Sequence, residues 1–320
     1  MAPEIAQYNF ASGSPAVWIE EDWEWAKRQA NLPSEHARLS DSFDGPAFGL
    51  QPWASSQVLC RLLALGLHGP QPSDTVVEVG AGCGLPGLLA VAQRRQRRSC
   101  EESGSSTSSN GSGLPPPPPP VLLTDYQPQV LDALRRNVAL NGFDAMDVEV
   151  AALDFRAPGD CQALLARGPV DWVIAADVVY DDRLWHDLLS TFAFLCRLGR
   201  EDEGSSAGIA ETAALQNGAA SPDLQRDTDP REAPPQRRPC RVLLACEARA
   251  QDAGVRLVSL AREAGFRVEG PLDLPSEAFR WGVVRERRTG SIEGRPADVE
   301  LERVRPEGHG VLVLTLAEVK

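Results

Sequence analysis

The chain has 320 residues, 42% of them hydrophobic, enough for one large globular domain or two small ones. Its 45 acidic and 32 basic residues leave a formal net charge of -13, which argues against general affinity for nucleic-acid phosphates and suits a basic protein partner or a plain solvated surface. Seven cysteines without C-x-x-C spacing argue against a disulfide framework or a zinc site and fit a reducing compartment, and no apolar run approaches membrane-spanning length.

Residues 1–48 read as an acidic, irregular N-terminal arm carrying Trp18, Trp23 and Trp25 among Glu20, Glu21, Asp22 and Glu24. Large aromatics in such a setting dock an arm on its domain or meet a partner. Met1 to Phe10 has no basic start followed by an apolar stretch, so no leader is expected there. From Trp53 the pattern turns helical: Val58, Leu62 and Leu65 recur at three to four residues, and Gly66 offers a stop. Trp53, just ahead of this helix, is expected either to cover a ligand or to anchor the core.

The sharpest signal is Val76-Val77-Glu78-Val79-Gly80-Ala81-Gly82-Cys83-Gly84-Leu85-Pro86-Gly87. The valines read as a central parallel strand, the glycines as a tight turn, and Pro86 as an early helix position. Together they predict a nucleotide cradle at a helix N-terminus. The run also satisfies the dinucleotide pattern G-x-G-x-x-G. Glu78, however, creates Glu-x-Gly-x-Gly, and a carboxylate at that point is expected to repel a pyrophosphate and favour S-adenosylmethionine, which has no phosphate and bears an ammonium and a sulfonium.

Residues 94–120, arginine-rich, then Ser/Gly-rich, then six prolines, read as a disordered insertion. The strand Val121 to Asp125 ends in an acid suited to ribose hydroxyls. Asp125 lies beyond the usual spacing of about 20 residues from the turn unless the insertion is subtracted. Gln127 to Leu140 is a helix closed by Asn141-Gly142, and Val148 to Ala151 is a third strand. It leads to Asp154 and Phe155, an acid for an adenine amino group and an aromatic for its ring. Asp171 to Ala176 is a fourth strand ending in Asp177-Val178-Val179-Tyr180, an acid and a phenol at the mouth of the expected crevice. After a helix through Leu195, residues 199–239 read as a second disordered insertion. A fifth strand (Arg241 to Glu247), a helix closed by Gly265, and two last strands (Phe266 to Glu269, Gly310 to Leu316) follow.

Taken together, Glu78-x-Gly80-x-Gly82, Asp125, Asp154 and Asp177-x-x-Tyr180 resemble methyltransferase family 16, the seven-strand class I group dominated by protein-lysine methyltransferases. The resemblance implies an α/β, Rossmann-like, mostly parallel seven-stranded sheet with an antiparallel last strand and helices on both faces. The domain is expected over 49–319, interrupted by the two insertions. It further implies that Trp53, Gly80, Ala81, Gly82, Asp125, Phe155 and Ala176 line an S-adenosylmethionine pocket, to which the reading of the residues adds Glu78 and Asp154, and that Asp177 and Tyr180 serve the acceptor lysine. Many members carry Trp where this chain has Phe155. The expected protein is a cytoplasmic or nuclear monomer that acts on a protein and needs no metal, nucleic acid or membrane. Two other readings remain open at this point: methylation of a small-molecule amine on the same fold, and a non-catalytic cofactor-binding adaptor.

Overall fold

The computed structural model describes residues 4–22, 48–104, 118–157, 160, 164, 168–197, 238–247, 253–272, 283–288, 297–302 and 309–316. Strands β1 (Glu4–Asn9) and β2 (Val17–Glu21) come first, and helix α1 (Ala54–Ala64) follows a short 3-10 turn at Phe48–Leu50. The chain then alternates β3 (Val76–Val79), α2 (Leu85–Gly104), β4 (Val121–Asp125), α3 (Pro128–Leu140), β5 (Val148–Ala152), β6 (Trp172–Ala176), α4 (Trp185–Arg197), β7 (Arg241–Glu247), α5 (Ala253–Glu263) and β8 (Phe266–Glu269). Strands β9 (Val283–Arg288), β10 (Ala297–Glu302) and β11 (His309–Leu316) end the described chain.

A seven-stranded sheet forms in the order β5-β4-β3-β6-β7-β11-β8. The pairs from β5 to β7 are parallel, and β11 runs antiparallel between β7 and β8. The resemblance implied this architecture. The strand order reverses direction between β3 and β6, so their carboxyl ends bound the crevice of a doubly wound sheet.

Alternation along each strand divides the core into two layers. Val76, Leu123, Ile174 and Leu243 pack with α1, α2 and α3, through residues such as Leu59, Leu62, Leu88 and Leu134. Val77, Val79, Leu122, Val173 and Leu244 face the other way, against Leu188 and Phe192 of α4 and Leu257 and Ala261 of α5. The β-branched strand residues can therefore be apolar on both sides, because helices cover both sides.

Two expectations need correction. The arm at residues 1–48 is not irregular where it is described: β1 and β2 form an antiparallel hairpin, and β1 also pairs with β9 in a second sheet ordered β10-β9-β1-β2. Ala6, Tyr8, Phe10, Val17 and Ile19 are buried, so this hairpin has a true apolar face. The first insertion also does not begin at Arg94, because α2 continues to Gly104. Arginine, glutamine and glutamate are good helix formers, and Arg94 is held beneath the surface by donating to the carbonyls of Pro119 (3.0 Å) and Asp74. Trp23, Trp25, residues 105–117 and most of the second insertion lie outside the described residues.

Candidate active site

The turn after β3 is built on backbone close approach. Gly82 has φ +55°, and a side chain there meets the backbone of Gly49 at 3.2 Å, so the segment leading to Trp53 crosses directly over the turn. Ala81 N–H donates to the Thr124 carbonyl (2.7 Å), and the Thr124 hydroxyl donates to the Glu78 carbonyl (2.6 Å). These bonds lock the ends of β3 and β4 side by side. The Asp125 carboxylate sits there with 8% of its surface exposed, accepting from Gly82 N–H (3.1 Å), Tyr126 N–H (2.8 Å) and Gln127 N–H (3.2 Å). Burial pushes its pKa up, and the three N–H donors pull against that shift.

Glu78 departs from its expected place. It shares a strand face with Val76, so its side chain points beneath α2 rather than into the crevice. It is 2% exposed, its Oε2 accepts from Gly87 N–H at 2.9 Å, and burial lifts its pKa to about 8. Direct repulsion of a pyrophosphate by a charged Glu78 is therefore not how this turn selects. Instead, a helix N–H that a phosphate needs is already engaged from inside, and Pro86 beside it has no N–H to give. The turn keeps its close-approach geometry, while at the helix start one donor is engaged from inside and the next position has none. That suits a ligand carrying an ammonium and no phosphate.

Asp154 and Phe155 follow β5. Burial favours the protonated form of Asp154, but the Arg156 guanidinium overrides it and holds the pKa below the ordinary carboxylate range. Arg156 donates to both carboxylate oxygens at 2.8 and 2.6 Å, and its guanidinium also lies over the Tyr126 ring, 4.9 Å from the centroid. Asp154 Oδ1 also accepts from the Arg156 backbone N–H at 3.0 Å, so the lone pair left for an exocyclic amine is on Oδ2. Phe155 packs partly into the core layer shared with α4, and its carbonyl accepts from the Thr191 hydroxyl at 3.4 Å. Trp53 caps the start of α1 and is half-buried.

Across the crevice, Ala176 ends β6. Asp177 then turns the chain with φ +58°, the one positive φ at a non-glycine position among the described residues. Such a conformation costs on the order of 1–3 kcal/mol and concentrates where function holds a side chain in place. Asp177 N–H donates to the Ala245 carbonyl (2.9 Å), pinning the loop to β7, and its side chain is 9% exposed. Val178 packs against Gly80, which brings the two strand ends together. Tyr180 is driven up to about 12 by burial and then by its neighbours Tyr126, Asp125 and Asp181.

The turn after β3, Asp125, Asp154, Ala176, Asp177 and Tyr180 thus all lie at or just after the carboxyl ends of the neighbouring parallel strands β3 to β6, with Val178 against Gly80 and Tyr180 near Asp125, while the Glu78 side chain lies beneath α2. Arg156 and Tyr126 escaped the sequence reading, although an arginine two residues after a strand-end acid was available as a signal. The left-handed turn at Asp177 had no signal at all. No helix among the described residues is long and apolar enough to cross a membrane.

The sequence model of a lysine methyltransferase family matches residues 38–201. No curated protein sequence matches the chain. Among solved structures, precorrin-6y C5,15-methyltransferase from Geobacter metallireducens is similar at 12% identity and a TM-score of 0.39, with 81% of this chain and 86% of that chain covered. The ribosomal protein L11 methylase of Lactobacillus delbrueckii subsp. bulgaricus is similar at 14% identity and a TM-score of 0.38, covering 98% and 99%. An O-methyltransferase from Bacillus cereus in complex with SAH gives 12% identity and a TM-score of 0.37, covering 94% and 93%.

Proposed function

The chain belongs to the lysine methyltransferase family and is an S-adenosylmethionine-dependent methyltransferase, and from that premise we propose that its acceptor is the ε-amine of a lysine in a protein substrate. The observation that carries the finer reading is the Asp177 to Tyr180 loop: a buried acid in a strained conformation, fixed to β7, facing the turn after β3 across the strand-order reversal.

Bound S-adenosylmethionine supplies a sulfonium-activated methyl group that a neutral amine accepts. Gly80, Ala81 and Gly82 allow the backbone approach that the ligand needs, Asp125 offers a carboxylate for ribose hydroxyls, and Asp154 with Phe155 and Trp53 frames the purine end. Ala176, small and at the strand tip, leaves room beside the turn.

A lysine of pKa near 10.4 is about 3.4 units above pH 7, so the neutral amine costs about 4.6 kcal/mol unless the site lowers it. Asp177 by itself stabilises the ammonium, so its part is to orient the amine. Tyr180, its hydroxyl kept protonated by partial burial beside Tyr126, Asp125 and Asp181, forms a wall of the acceptor channel, and withdrawing water from the nitrogen there favours loss of the proton. Alignment and desolvation, with no covalent intermediate, are what these residues contribute.

Incubating the protein with methyl-labelled S-adenosylmethionine and a fractionated lysate, followed by mass spectrometric mapping, tests this reading. Label on a lysine ε-nitrogen of a protein supports it. Label confined to small molecules, or on oxygen, contradicts it.

A further inference from the structure

The outer edge of β2 carries a second set of contacts that reaches the turn after β3. An edge strand presents N–H groups outward at alternate residues, and those groups need partners. Here Trp18 N–H donates to Asn141 Oδ1 (2.8 Å) while Asn141 Nδ2 donates back to the Trp18 carbonyl (2.7 Å). Two residues on, Glu20 N–H donates to Asn137 Oδ1 (2.7 Å), and two further on, Asp22 N–H donates to the Leu50 carbonyl (3.0 Å). Asn137 and Asn141 sit one helical turn apart on or just after α3, so a single helix face meets the strand period.

Two of these three rungs end at the same place. Asn137, 0% exposed, uses the other end of its amide to donate to the Cys83 carbonyl at 3.0 Å. Leu50 follows Gly49, which lies against the backbone of Gly82. The hairpin therefore reaches Gly82-Cys83 along two separate routes, one through α3 and one through the Phe48–Leu50 turn.

We propose that Asn137 is a positioning residue for the cofactor turn and that the β1–β2 hairpin is a working part of the cofactor site, its seating coupled to ligand binding at Gly80 to Gly84. This deepens the reading of the same site and rests on its being an S-adenosylmethionine pocket. The coupling is reciprocal: whatever the seated hairpin adds to cofactor affinity, the cofactor adds to the hairpin's order.

The test uses the full chain and S-adenosylhomocysteine. In the wild type, amide hydrogen exchange slows on binding in Val17–Glu21 as well as in Gly80 to Leu85. The substitution Asn137→Asp keeps an acceptor for Glu20 N–H and removes the donor to Cys83. It weakens binding by calorimetry at least about fivefold, the size expected for one lost buried hydrogen bond. It also raises KM for S-adenosylmethionine more than it lowers kcat, and it uncouples the hairpin, whose exchange no longer responds. The milder Asn141→Ala reduces the hairpin response without touching the turn. Wild-type binding with hairpin exchange unchanged overturns the proposal alone, as does wild-type affinity in Asn137→Asp. No binding to the wild type overturns the cofactor reading and this proposal with it.

Discussion

The carboxyl group of Glu78 accepts the Gly87 N–H at 2.9 Å, so the acid of the Glu-x-Gly-x-Gly run closes the end of α2 from below instead of facing the ligand. Gly87 is glycine for the same reason, since a side chain there meets Glu78 Oε2 at 2.4 Å and Leu123 at 2.2 Å. Burial lifts the Glu78 pKa from 4.5 to about 8, so the folded protein keeps a proton that the unfolded chain releases. The stability this group allows is greatest below pH 4.5 and declines as pH rises to about 8. Glu78→Gln retains an acceptor for Gly87 and never ionises. Thermal melts of the variant and wild type should coincide near pH 5 and separate in the variant's favour toward pH 8; a gap independent of pH contradicts the assignment.

At Asp177 the left-handed backbone costs an alanine on the order of 1–2 kcal/mol and a glycine almost nothing. Asp177→Gly should therefore melt above Asp177→Ala, and both should lose methyl transfer. Retained transfer in either variant removes Asp177 from the acceptor site. Equal melting points remove the strain argument.

Tyr180 is half-buried, and its partial desolvation with Tyr126, Asp125 and Asp181 nearby lifts its ionisation to about 12, far above working pH. Tyr180→Phe should leave the pH-rate profile below pH 10 unchanged and keep most of the turnover. Tyr180→Ala removes the channel wall and should cost on the order of 100-fold in kcat/KM, the scale of a misplaced reactant. A limb of the profile that vanishes in Tyr180→Phe assigns the tyrosine a proton-transfer role instead.

The doubly wound sheet was legible because β3, β4 and β6 are mostly apolar and each runs into a glycine or an acid, as buried parallel strands opening onto a ligand crevice do. Asp125 was legible once the insertion was set aside. The N-terminal hairpin was not, although Ala6, Tyr8 and Phe10 alternate with polar residues and Val17 and Ile19 answer them across Ser12-Gly13-Ser14. Its apolar face is interrupted by Glu21, buried and bonded to the Tyr8 hydroxyl, and its outer partner β9 lies more than 260 residues away in the chain. Local pattern carries no record of either. The direction of Glu78 was available from strand alternation with Val76, but the glycine motif beside it drew the side chain toward the ligand in the sequence reading.

The central claim is that one crevice has two separable halves: the turn after β3 holds the cofactor and the loop after β6 holds the acceptor. Calorimetric titration of S-adenosylhomocysteine into the wild type, Gly82→Ala and Asp177→Ala tests it most directly. The account predicts wild-type affinity in Asp177→Ala and clearly weakened binding in Gly82→Ala, whose new methyl crowds the Gly49 backbone at 3.2 Å and sits at a left-handed φ of +55°. Binding lost equally in both variants, or no heat with the wild type, contradicts it.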